Sequence, residues 1–303
     1  MSALDGTAPV EPPQPGSVFA TVIPCFRPSV AELEQACMRM KEFGLVVLVD
    51  DSGDEVNALD TLGSVAEIVV MPSNSGIGAA LNAGVSRAIG LGAQVVMTLD
   101  QDSLPDSAYV AAAVALVADP GRDYPVVVPA RIGPGPEAVD GGQLQARWPI
   151  QSGMVIAASA FAEVGSFDES MFIDSIDVDF VIRLRAAGRA PVALDTGYVS
   201  HRLGTVGSLR SPVGGRTLQY TWHSPTRRYY IFRNRVRLLQ KHGARYLMPG
   251  VAGLAREVRS LCACLAGGPE RRPSLSAAVR GLWDGLTRVE GRIPEQHLAA
   301  IDK

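Results

Sequence analysis

Residues 94–103 read QVVMTLDQDS, an apolar run that gives way to Asp100, Gln101, Asp102 and Ser103. A short continuous apolar segment closed by turn-forming residues predicts a strand covered on both faces, its polar groups delivered at the carboxyl end. The same pattern recurs upstream. VFATVI (18–23) runs into Pro24 and Arg27, LVVLVD (45–50) ends on Asp50 and continues to Asp51 and Ser52, and AEIVVM (66–71) leads to Ser73, Asn74 and Gly76. Helical patterns lie between them at 29–43 and 76–90, and a third follows at 105–118. This alternation predicts an α/β fold, a parallel sheet covered by helices on both faces. Ligands of open α/β sheets bind at the carboxyl edge, so several polar strand ends are expected to face one crevice.

Farther along, YPVVVPA (124–130) extends the sheet, a Gly/Pro-rich loop fills 131–142, and IQSGMVIA (150–157) reads as another strand. Helices are expected at 159–164 and 174–188, and short strands at 191–195 and 198–201. A Gly-rich basic loop follows over 203–221. From Ser224 onward the chain reads as helical and basic, with breaks at Gly243, Pro249 and Gly267-Gly268-Pro269. The predicted organisation is a disordered leader (1–17), an α/β domain (18–222) and a C-terminal basic helical extension (223–303).

Of the 303 residues, 47% are hydrophobic and 19% charged, which fits a folded core and opposes disorder. A net charge of -3 argues against nucleic acid as a partner. Between Thr196 and Arg256, however, there is no Asp or Glu, while Arg and Lys recur. Such a stretch suits a phosphate clamp or a peripheral contact with an acidic membrane. Cys25, Cys37, Cys262 and Cys264 form no CxxC pair and read as reduced, cytosolic thiols. The acidic, Pro-rich start is unlike a signal peptide. No apolar run reaches the roughly 20 residues of a membrane span. The expected location is cytoplasmic, with the inner face of the plasma membrane as a peripheral alternative. Apolar helix faces after Gly243 leave room for a homodimer.

Each polar cluster has a functional and a structural reading. Asp50 and Asp51 can accept from a ribose or a base N–H, or can cap the next turn. Asn74 and Gly76 stand at a helix start that suits phosphate, although a simple cap uses the same residues. Neither a P-loop nor a GxGxxG fingerprint is present. Asp100 and Asp102 offer hard oxygens to Mg²⁺ or Mn²⁺ on a diphosphate, or form a polar turn. Asp174, Asp177 and Asp179 precede a helix, where acids suit the macrodipole and where one can serve as general base. His201 is a metal ligand, a base or a structural histidine. HSPTRRYYIFRNRVR (223–237) interleaves cations with aromatics.

In order along the chain, TVIPCFRP (21–28), VDDSG (49–53), NSGIGAALNAG (74–84), TLDQDS (98–103), SGM (152–154), FIDSIDVDFVIRL (172–184), His201 with Gly204, and HSPTRRYYIFRN (223–234) resemble family 2 glycosyltransferases. The LDQDS, FID and RYYxxRN forms resemble the bacterial rhamnosyltransferase-like branch in particular. The resemblance spans about 18–240. It implies a GT-A fold, Rossmann-like with a mostly parallel mixed sheet flanked by helices and a C-terminal helical extension, its nucleotide-binding part near 18–130 and its acceptor part near 131–222. It also implies inverting transfer from a nucleotide-sugar donor, dTDP-rhamnose or a UDP-sugar, to a glycan or lipid-linked glycan acceptor in polysaccharide or glycolipid synthesis. By the same likeness Asp51 holds the base, and Pro24, Asp50, Asn74, Gly76, Asn82, Asp100, Gln101, Arg228 and Arg233 surround the donor. Asp100, Asp102 and His201 hold the metal. Ser152, Gly153, Asp174 and Asp179 lie on the acceptor side. Asp177 is the base, with Asp174 as alternative, because Ile176 stands where the family's motif has an acid. Two rivals stay open: a nucleotidyltransferase, which should carry a Gly-rich basic signature after its first strand where PCFRPS stands, and a non-catalytic carbohydrate- or lipid-binding module.

Overall fold

The computed structural model describes residues 3–4, 18–53, 59–133, 143–144, 149–200, 205–210 and 217–301. They fall into two compact units: residues 1–169 with 176–202, and residues 170–175 with 203–303. The calls on most of the leader, on 134–142, and on His201 with Gly204 lie outside the described residues.

The first unit contains β1 (Ala3–Leu4), β2 (Val18–Cys25), α1 (Val30–Lys41), β3 (Leu45–Asp50), β4 (Glu67–Val70), α2 (Ile77–Gly90) and β5 (Ala93–Thr98). Then come β6 (Leu104–Pro105), α3 (Ser107–Ala118), β7 (Val126–Pro129), β8 (Arg131–Gly133), β9 (Gln143–Leu144) and β10 (Met154–Ala157). It closes with α4 (Ala158–Val164), α5 (Ile176–Ala186), β11 (Val192–Leu194) and β12 (Val199–Ser200). The main sheet has the order β1-β11-β7-β10-β5-β2-β3-β4. Only β10 runs antiparallel, pairing with both β5 and β7. A smaller sheet, β6-β12-β8-β9, stands beside it.

The continuous apolar strands are buried on both faces, as their sequence requires. Ile23, Leu48 and Met97 pack with Leu33, Cys37 and Met40 of α1 and with Tyr109, Val110 and Ala113 of α3. Side chains alternate along a strand, so Val22 and Val49 meet α2 on the other face. There Gly84 permits contact: a Cβ on it would lie 2.4 Å from Val22 Cγ1 and 2.8 Å from Val49 Cγ2.

The second unit corrects two expectations. Residues 203–221 do not form one open loop; β13 (Thr205–Arg210) and β14 (Thr217–Trp222) pair antiparallel. Gly207, which read as a loop signal, sits opposite Tyr220, where a Cβ would come within 2.5 Å of the ring. Glycine here marks close approach within a strand. The helices are α6 (Pro225–His242), α7 (Ala244–Gly267), α8 (Arg271–Leu286) and α9 (Glu295–Ile301). Pro249 does not break α7. Lying in the second turn, it deletes one intrahelical bond, while Tyr246, Gly250, Gly253, Glu257, Ser260 and Cys264 keep one face of the helix buried. Gly243, at φ 52°, does separate α6 from α7. Gly281 lets α8 approach α6, since a Cβ there would stand 2.4 Å from the Tyr229 carbonyl. Among the described residues no helix is long and apolar enough to cross a membrane.

Candidate active site

The carboxyl ends of β2, β3 and β5 are stitched to one another by the residues that mark them. Gln101 accepts from the Phe26 amide at 2.7 Å and donates to the Phe26 carbonyl at 3.3 Å, binding the β5 loop to the β2 loop. The Arg27 amide donates to Ser52 Oγ at 3.0 Å, which joins the β2 and β3 loops. Asp50 caps its own turn by accepting from the Ser52 amide at 3.0 Å. Asp51 reaches across to α2: its two carboxylate oxygens accept from the Ser75 and Gly76 amides at 2.7 and 2.8 Å. That bond pair fixes the loop before α2, where Gly76 takes φ +92°, open to glycine at little cost. Pro24 is in β2 itself, paired with Val49. Asn74 lies within the loop that Asp51 fixes.

Asp100 and Asp102 occupy the turn after β5. The Asp100 carboxylate accepts from the Gln151 side-chain amide, and its backbone amide donates to Ser152 Oγ at 3.0 Å. Ser152 in turn donates to Ser103 Oγ at 2.8 Å, while the Gly153 amide donates to the Thr98 carbonyl at 2.7 Å. Ser152 is fully buried, so it scaffolds the aspartate turn and does not face an acceptor. Gly153 is likewise internal: it has φ +82° and its carbonyl receives the Tyr109 hydroxyl at 2.5 Å. Burial raises the Tyr109 pKa, keeping it a neutral donor.

The donor set suits a hard divalent cation that retains phosphate ligands, which needs only one or two protein carboxylates. Asp102 is exposed and Asp100 partly so. Among the described residues no group of three or more His, Cys, Asp or Glu converges; His201, the third predicted ligand, lies outside them. Asp50, Asp51, Asp100 and Asp102 also concentrate negative charge at one sheet edge. A diphosphate approaching such an edge is repelled unless a cation lies between them.

The other predicted residues of the first unit divide. Asn82 donates from Nδ2 to the Phe167 carbonyl and Glu169, and accepts from the Phe167 amide at 3.0 Å, tethering residues 167–169 to α2. Asp179 is fully buried and accepts from Arg183 Nε at 2.9 Å. Arg183 goes on to donate to the carbonyls of Val164, Gly165 and Ser166. Asp179 therefore holds a turn and is not presented to an acceptor. Asp177, in the first turn of α5, is partly exposed, and its Oδ1 accepts from the Val178 amide at 2.7 Å.

In the second unit, FID and RYYIFRN prove to be one device. Asn234 Nδ2 donates to the carbonyls of Met171, Ile173 and Asp174 at 2.7–2.9 Å. Arg233 donates to the Gly291 carbonyl at 2.6 Å and the Met171 carbonyl at 2.9 Å. Phe172 stacks on Tyr230 at 5.1 Å between centroids. Together they hold Phe172, Asp174 and Ser175, all at positive φ (62°, 64° and 72°). Non-glycine residues held in this region are strained, and such strain gathers at functional segments. Arg227 forms a bidentate pair with Asp174, its shortest contact 3.0 Å. Arg228 and Arg233 are both fully buried, and desolvation pulls their pKa values down. Neither guanidinium is presented at a surface.

Sequence reasoning missed Gln151, Asn234 and Arg227. Gln151 stands immediately before SGM, and the other two lie inside the quoted RRYYIFRN. They were legible as motif letters but not as partners of particular atoms.

Residues 31–162 match the family described as glycosyl transferase family 2. The dTDP-rhamnosyl transferase RfbF of Shigella flexneri is 25% identical over 250 residues, covering 75% of this chain and 81% of that protein. A crystal structure of S. aureus TarS superposes with a TM-score of 0.53 at 14% identity, covering 93% of this chain and 83% of that one. Against a longer TarS crystal structure, with the same TM-score of 0.53, this chain spans 50% of its length. The mixed sheet with its single antiparallel insertion is accordingly a GT-A fold with C-terminal helices. With residues 31–162 matched to the family model and a rhamnosyl transferase among its relatives, the chain is similar to family 2 glycosyltransferases, the rhamnosyltransferases among them.

Proposed function

We propose that this enzyme transfers L-rhamnose from dTDP-rhamnose, with inversion, to a glycan or lipid-linked glycan during polysaccharide or glycolipid synthesis. The sugar rests on the likeness to the Shigella rhamnosyl transferase; a UDP-sugar donor is the second reading, since the stitched sheet edge serves either nucleotide. The observation that carries the proposal is that edge: Phe26–Gln101, Arg27–Ser52, Asp51–Gly76 and Asp100–Gln151 join the strand ends into one fixed surface. Such preorganisation places reacting groups without reorganisation during the reaction.

Asp100 and Asp102 would hold Mg²⁺ or Mn²⁺, which offsets charge on the departing nucleoside diphosphate. Asp51 takes up the Ser75 and Gly76 amides and so fixes the loop before α2 at this edge. Asp177 is the general base, taking the proton of the acceptor hydroxyl as that oxygen attacks the anomeric carbon and the bond to the diphosphate breaks. Asp177 is the residue that the family likeness puts in the base's motif, and Asp174, ion-paired with Arg227, is the alternative.

A screen of nucleotide sugars, reading released nucleoside diphosphate, tests the donor; dTDP-rhamnose should lead. Asp177→Asn should lower kcat by roughly 10²–10⁴ while affinity for dTDP with Mn²⁺ stays near the parent value. Activity unchanged in that variant would remove the assignment. Nucleotide binding indifferent to Mn²⁺ would remove the metal.

A further inference from the structure

The outward side of α7 and α8 is apolar and edged with arginine. On α7, Leu247, Val251 and Val258 are exposed and fall within an arc of about 40° at 100° per residue. On α8, Leu275, Val279 and Leu286 do the same. Two larger side chains widen the surface, Met248 at 79% and Trp283 at 61% exposure.

The two arcs form one face. Leu254, Leu261 and Leu265 of α7 pack with Ala278 and Leu282 of α8 over Phe232 of α6. On each helix the exposed arc is displaced from that seam in the same rotational sense. Residues 268–270 alone join the helices, so they run antiparallel, and the shared sense puts both arcs on the same side, away from α6.

Charge identifies the occupant. From Ala244 to Leu286 the basic residues are Arg245, Arg256, Arg259, Arg271, Arg272 and Arg280. Of the acids in that span, Glu257 and Asp284 are buried and ion-paired, to Arg235 and to Arg280 respectively. Glu270, in the connecting turn, is the one acid of α7–α8 that reaches solvent. A second copy of the chain would bring the same cations against this rim. An anionic bilayer satisfies both features, its acyl region the apolar face and its headgroups the arginines.

We propose that the α7–α8 face docks on the surface of an anionic lipid bilayer, lying in its interface. Of the acid-free basic stretch between Thr196 and Arg256, only Arg245 and Arg256 belong to this face; in α6, Arg228 and Arg233 are buried. The inference is independent of donor and acceptor chemistry.

Co-sedimentation of the full chain with vesicles tests it, comparing phosphatidylcholine containing about one-quarter phosphatidylglycerol with phosphatidylcholine alone. The chain should pellet with the anionic vesicles, and about 0.5 M NaCl should weaken the affinity roughly tenfold. The double variant V279E/W283E, altered only at exposed positions, should lose at least about tenfold while its thermal melting holds. R259E/R272E should lose a similar factor. Absence of pelleting, equal affinity for both vesicles, or indifference to V279E/W283E would overturn the proposal. So would a lipid-free dimer that V279E/W283E dissociates, since a second copy would then cover the face. Vesicle binding without sugar transfer would leave this proposal standing and remove only the functional one.

Discussion

The sheet edge of the first unit and the start of α6 in the second both carry motif residues, yet use them in opposite ways. At the edge, Gln101, Asp100 and Asp102 keep partial or full exposure while their neighbours fix their backbone. In α6, Arg233 and Asn234 are fully buried and donate to main-chain carbonyls. The contrast shows that a polar letter in a motif marks either a site or the scaffold of one. Burial and partners decide which.

The comparison breaks most readily at Arg233. Arg233→Ala takes the guanidinium from the Gly291 carbonyl and one of the donors from the Met171 carbonyl in a buried setting, and should cost about 3–4 kcal/mol in urea unfolding. Asn234→Ala, which removes the side-chain donor to the Ile173 and Asp174 carbonyls and one donor to Met171, should cost about 2–3 kcal/mol. If either variant kept its stability and lost only nucleotide affinity, α6 would belong with the edge. Asp51→Ala sharpens the other side. Stripping the acceptor from the Ser75 and Gly76 amides should cost about 2 kcal/mol. A loss of dTDP affinity with unfolding unchanged would instead make Asp51 a base contact alone.

The smallest effect concerns pH. Burial lowers the His223 pKa from its ordinary 6.5, outweighing the attraction of Glu257. Below that value the unfolded chain takes up a proton that the folded chain resists, so stability is full above pH 6.5 and declines as pH falls beneath it. His223→Gln should flatten this decline in melting curves taken between about pH 7 and 5.

Much of the fold was legible. Continuous apolar runs in β2, β3 and β5 announce strands covered on both faces, because each must bury both sets of side chains. The hairpin at β13 and β14 was not, since Gly207 signals loop locally and is explained only by the Tyr220 ring opposite it. Pro249 misled for a similar reason: a local rule about one missing N–H was outweighed by a buried helix face.

By itself, the sequence determined that polar residues gather at the carboxyl ends of parallel strands, because strand period and turn chemistry are local properties. Only the tertiary structure decided which of them face outward. Asp100 meets Gln151, Asp51 meets Gly76 and Arg233 meets Met171 across 51, 25 and 62 positions. Burial is a property of what packs against a residue, and those partners are set by the sheet order and the helix crossings.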